Sequence, residues 1–95
     1  MKRLNSLFTD DMGHCFFTGS PDIERHHVFG GFNRKRSEQY GFIMPLRKDL
    51  HPNGVFAGKR AKKLDLYMKK ECQKWYEKNI GTREQFIKEF GRSWL

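Results

Sequence analysis

Residues 59 to 79 constrain this chain more than any other stretch. Ala61, Leu64, Met68, Cys72 and Trp75 recur at helical spacing, while Lys62, Lys63, Lys69, Lys70, Lys74 and Lys78 occupy the remaining surface. That period predicts one long amphipathic helix with an apolar stripe and a basic outer face. Gly81 ends it, and Thr82-Arg83-Glu84-Gln85 then reads as a capping box, in which Thr82 and Gln85 each satisfy a backbone N–H at the start of a second helix. Gly91 closes the second helix, and Phe86, Ile87, Phe90, Trp94 and Leu95 are the core side chains expected from this end of the chain.

Upstream the period changes from helical to two. In Ile23-Glu24-Arg25-His26-His27-Val28-Phe29 the alternation places His27 with Ile23 and Arg25 on one face, and His26 with Glu24 and Val28 on the other. The aromatic stretch His14-Cys15-Phe16-Phe17-Thr18 and the turn signal Gly19-Ser20-Pro21-Asp22 precede it, which predicts a β-hairpin. Gly30-Gly31 ends the strand. Asn33 to Gln39 reads as a polar, basic loop or one helical turn, followed by the apolar run Tyr40 to Met44, which Pro45 limits because proline has no N–H for a central strand. Pro52 restricts His51 to an extended conformation on a bend or at a helix entrance.

The fold class expected is α+β. A length of 95 residues leaves room for one core, so residues 1–95 are read as a single domain. Within it lie an N-terminal arm (1–13) carrying Leu4, Leu7 and Phe8, a hairpin and loop region (14–58), and two C-terminal helices (59–95). Cys15 and Cys72 are too few for a disulfide scaffold and are expected as thiols in a reducing cytosol, Cys72 as a buried small hydrophobe. The chain has no long apolar run and no signal-peptide pattern, so a soluble protein with no membrane partner is expected. Lys and Arg number 19 against 11 Asp and Glu, a net charge of +8, which favours a polyanion or an acidic protein surface as partner.

The histidines suggest chemistry. A hairpin carrying His26-His27, a loop, a second apolar stretch and then His51 near a helix start is the order of parts in a ββα-metal nuclease. In that arrangement His26 and His51 hold a divalent cation and His27 takes a proton from the attacking water, with the two strand histidines interchangeable. His14 and Cys15 add two donors nearby, so Zn2+ with mixed Cys and His ligands is chemically reasonable.

Four groups of residues carry a family resemblance: Arg25-His26-His27-Val28-Phe29-Gly30, Arg36-Ser37-Glu38 with Tyr40-Gly41, His51 with Asn53-Gly54-Val55, and the ending Arg83 to Leu95. Together they resemble the small HNH-endonuclease-like proteins of temperate phages of Gram-positive bacteria, over residues 14 to 95. The resemblance implies a small ββα-metal, HNH-like core and a setting in the cytoplasm of a bacterial host. The chain departs from that pattern where the family carries C-x-x-C pairs, here Cys15 to Thr18 and Arg47 to Leu50, where Phe56 replaces a third histidine, and where an Asn that orients the base has no counterpart.

Read through the resemblance, His26, His27 and His51 hold Zn2+ with Cys15, His14, an acid such as Asp49, or water. Mg2+ or Mn2+ would serve a nuclease with His27 as its base. Three functions follow. The first is a non-catalytic, metal-binding anti-CRISPR inhibitor that blocks a host Cas9-type effector. The second is an HNH endonuclease that nicks DNA, and the third a DNA-binding phage accessory protein. In each, Arg34, Lys35 and Arg36 of the loop and Lys62, Lys63, Lys69, Lys70 and Lys74 of the long helix are the candidate contacts.

Overall fold

The computed structural model describes residues 5–52, 54 and 57–95. Two antiparallel strands, β1 (Ile23–His27) and β2 (Ile43–Arg47), and three helices, α1 (Arg34–Tyr40), α2 (Lys59–Asn79) and α3 (Arg83–Phe90), form an α+β fold. His26 lies opposite Met44 and His27 opposite Ile43. Leu4, Asn53, Val55 and Phe56 lie outside the described residues.

The hairpin is not the one expected. β1 forms where the alternation placed it, but its partner is β2, and residues 14 to 18 make a turn instead of a strand. That turn is closed by Cys15 N–H to Ser20 and Gly19 N–H to Cys15, and it rests on β2 through Phe16 N–H donating to the Pro45 carbonyl at 3.0 Å. Pro45 sits inside β2, opposite Arg25, although it was expected to limit that run. In a two-stranded ribbon each strand is also an edge, so a residue without an N–H is tolerated on the side that needs no ladder bond. The stretch expected as a loop or single turn is the helix α1, ended by Gly41 at φ 75°, a left-handed conformation that suits glycine.

The long helix runs as its period predicts, and Thr82 and Gln85 form both halves of the capping box ahead of α3. Ala61, Met68 and Cys72 are buried, with Leu64 and Trp75 partly so. Phe42, Met44 and Leu46 from the β2 region, Val28 and Phe29 after β1, Met68, Cys72 and Tyr76 of α2, and Phe86 and Phe90 of α3 close one hydrophobic cluster. The ring pairs Phe29–Phe90 and Phe86–Phe90 lie at 4.6 and 4.7 Å between centroids, so a few aromatics supply most of its volume. Ile87 and Leu95, expected in the core, are exposed, since α3 turns its Phe86 and Phe90 edge inward and Leu95 lies beyond its end. Both cysteines are free, buried thiols. The N-terminal segment docks through Leu7 N–H to Gly41 and the Ser6 hydroxyl to Ile43. Among the described residues no helix is long and apolar enough to cross a membrane.

Candidate functional site

Strand alternation sets the first half of the site. Glu24 and His26, two residues apart on β1, share the face turned toward α2. His51 follows the 3₁₀ turn Lys48–Leu50 in the extended conformation that Pro52 imposes. Asp65 lies on α2 between Ala61 and Met68, one turn from each, and so on the inward side of the helix.

These four side chains meet in two pairs. His26 Nε2 lies 3.5 Å from Asp65 Oδ1, and His51 Nδ1 lies 3.5 Å from Glu24 Oε1. The two imidazoles pack edge to face at 5.0 Å between centroids. A separation of 3.5 Å is long for a hydrogen bond, and Glu24 Oε1, His26 Nε2 and His51 Nδ1 are all buried without a hydrogen-bond partner. Three such atoms in one place are costly, since native interiors leave few buried polar groups unpaired.

The spacing within each pair is also that of two ligands on one cation. Two ligands of a tetrahedral ion with bonds of about 2.1 Å stand about 3.4 Å apart. Gly54 completes the cradle, because a Cβ there would come within 3.0 Å of His51 Nδ1 and 3.1 Å of Glu24 Oε1. Among the described residues no three His, Cys, Asp or Glu side chains surround one point closely enough to hold a metal ion. The donor set of two imidazoles and two carboxylates suits Zn2+ or Mn2+.

Burial holds the His26 pKa below its ordinary value, only partly offset by Asp65, so His26 is neutral near pH 7 and has a lone pair to give. Burial pushes Asp65 upward, but contacts with His26 and Lys69 outweigh it and keep the carboxyl below its usual value. Lys69 Nζ donates to Asp65 Oδ2 at 2.8 Å.

His27 points to the other side of β1, where its Nε2 lies 3.0 Å from Glu38 Oε1 of α1. Even so, His26, His27 and His51 line one cleft of about 360 Å³, together with Arg25, Arg34 and the Gly30-Gly31 pair. The strand ends there, which lets side chains from both faces reach its mouth.

Other sequence candidates lie elsewhere. His14 pairs with Asp11 at 2.9 Å on the exposed N-terminal segment. The Cys15 thiol is raised by burial, yet hydrogen bonds from Thr18 and the backbone of Arg47 bring it below its ordinary value. Asp49 is taken by a two-pronged contact with Arg47, at 2.5 and 2.9 Å. The structure therefore does not bring Cys15, His14 or Asp49 into the His26–His51 cluster.

The basic residues divide in the same way. Arg36 donates to the Glu89 carbonyl at 2.8 Å, Lys69 bridges Asp65 and the Trp94 ring, and Lys74 reaches Glu71 at 3.5 Å. Arg34, Lys35, Lys62, Lys63 and Lys70 form no ion pair with another described residue.

Sequence reasoning missed Glu24 and Asp65 as donors, although both had a signal. Glu24 shares the His26 face by alternation, and Asp65 is a carboxylate on the apolar side of α2. Comparison of the chain with family models, with curated proteins and with solved structures returned no match.

Proposed function

We propose that this chain is a metal-dependent phosphodiesterase of the ββα-metal type that acts on nucleic acid, with Glu24, His26, His51 and Asp65 as the cation ligands. The observation that carries this reading is a set of three buried, unpartnered polar atoms, Glu24 Oε1, His26 Nε2 and His51 Nδ1, the first and last of which border the space that Gly54 leaves open. A divalent cation held there would neutralise charge on a phosphate and its leaving oxygen. The donors that the sequence departures removed are replaced in this reading by the two carboxylates.

His27 is the general base. Glu38 holds Nε2 and fixes the tautomer, leaving Nδ1 to take a proton from the attacking water. Glu38 thus fills the orienting role for which the sequence showed no Asn. Arg25 and Arg34, at the rim of the cleft, hold the phosphates on either side of the scissile bond.

Incubation with supercoiled plasmid and Mg2+, Mn2+ or Zn2+ tests the reading. Nicking that disappears in His27→Ala and on chelation supports it. Absence of turnover, with stoichiometric block of a Cas9-type nuclease in the same assay, would favour instead the anti-CRISPR inhibitor suggested by the phage resemblance.

A further inference from the structure

Phe32 has no part in the core. It is fully exposed, 103% relative to a free residue, between β1 and α1, in a turn where Gly31 takes φ 58° and Gly30 and Gly31 carry no side chain to cover the ring. An exposed phenylalanine forgoes the stabilisation that burying its ring would give the fold. Its neighbours are Arg34 and Lys35, both exposed and without an ion pair among the described residues. The residues on either side of it, Gly30, Gly31 and Arg34, line the cleft that holds His26, His27 and His51.

We infer that Phe32 is a stacking residue for a nucleobase at the mouth of this cleft, with the flanking phosphates on Arg34 and Lys35, so that the chain prefers nucleic acid with an unpaired or unstacked nucleotide over continuous duplex. The inference rests on the proposed function and narrows its substrate. An aromatic face between cations on a basic surface is how sequence-tolerant single-strand sites are built, because every base has a face to stack and every linkage a phosphate to pair. In a continuous duplex the faces are already stacked. A bulge, fork or nick gives the ring a partner at lower cost, since the unstacking is already done. An acidic peptide would use the same cations but has no flat ring system to match Phe32.

Binding without divalent ions separates this inference from hydrolysis. Fluorescence anisotropy, in chelator, compares the full chain on a blunt duplex, the same duplex with a single-nucleotide bulge, and a single strand. The bulged and single-stranded forms are expected to bind more tightly. Phe32→Ala weakens them about tenfold and leaves the blunt duplex nearly unchanged. Phe32→Trp restores the preference, and the thermal midpoint of both variants matches the parent, as an exposed ring requires. Arg34→Gln with Lys35→Gln weakens all three, and lowers the salt slope on single strands by about 1.4. Equal binding of all three forms by the parent, an unchanged preference in Phe32→Ala, or displacement of the oligonucleotides by poly-glutamate at equal charge would each overturn the inference. Loss of the preference in Phe32→Ala from a protein that never nicks DNA would sink the hydrolytic reading and leave this one standing.

Discussion

Asp65 Oδ1 stands 3.5 Å from His26 Nε2 across the gap between α2 and β1, and His26 Nε2 is buried without a hydrogen-bond partner. Asp65→Asn keeps the shape and removes the charge. Saturating Zn2+ or Mn2+ is expected to raise the thermal midpoint of the parent by several degrees, since about a hundredfold excess over Kd stabilises by about 2.7 kcal/mol. In Asp65→Asn that rise shrinks to near zero, while the metal-free midpoint moves little. Calorimetry or dye-based melting with and without the ion measures both.

His26 makes the metal-free protein sensitive to acid. Its folded pKa lies below the value of about 6.5 that it regains on unfolding. Between the two values the unfolded chain binds more protons, so this part of the stability is complete above about pH 6.5 and is lost as pH falls through the folded value. Urea midpoints in chelator should therefore fall from pH 7 toward pH 5. His26→Gln should flatten that slope, and an unchanged slope would assign it to other groups.

Glu89 ties three elements together. It accepts hydrogen bonds from Tyr40 at 2.8 Å and from Tyr76, and Arg36 lies 3.8 Å away. Burial and then Glu89 raise Tyr40 to about 12, and push Tyr76 up as well. A raised phenol stabilises the fold below its unfolded value of about 10 and loses that contribution as pH climbs toward the folded value. Unfolding should begin above about pH 10. Glu89→Ala leaves two hydroxyls without their acceptor and should cost about 2–3 kcal/mol by urea titration at neutral pH.

Gln73 anchors the end of the chain. It is fully buried, its Oε1 accepts from the Trp94 amide at 2.7 Å, and its Nε2 donates to Ser93 and Glu77. Gln73→Ala should abolish hydrogen-exchange protection at Trp94 while protection at Phe86 persists, because the capping box still holds the start of α3.

What the sequence made legible follows local physics. The limits of α2, the Thr82–Gln85 box and the Gly91 stop each depend on residues within a turn of one another, and all three stand in the structure. The opposed faces of His26 and His27 also needed only the strand period. Strand pairing was another matter, because the turn at Gly19 to Asp22 is a valid hairpin signal, and the choice of β2 over residues 14 to 18 is made by burial of Phe42, Met44 and Leu46 against α2. Glu24 and Asp65 were visible as residues, but their pairing with His51 and His26 depends on how distant segments pack on β1, which no local pattern encodes. The fate of Arg36 and Lys69 was hidden for the same reason, since their partners Glu89 and Trp94 lie far along the chain.

Metal stoichiometry tests the central claim most directly. Isothermal titration of the chelator-stripped protein with Zn2+ or Mn2+ should give one ion per chain, lost in His51→Ala with Asp65→Asn and retained in His14→Ala with Cys15→Ser. Failure to bind either ion, or binding that survives the first pair of substitutions and vanishes with the second, would contradict a centre built from Glu24, His26, His51 and Asp65.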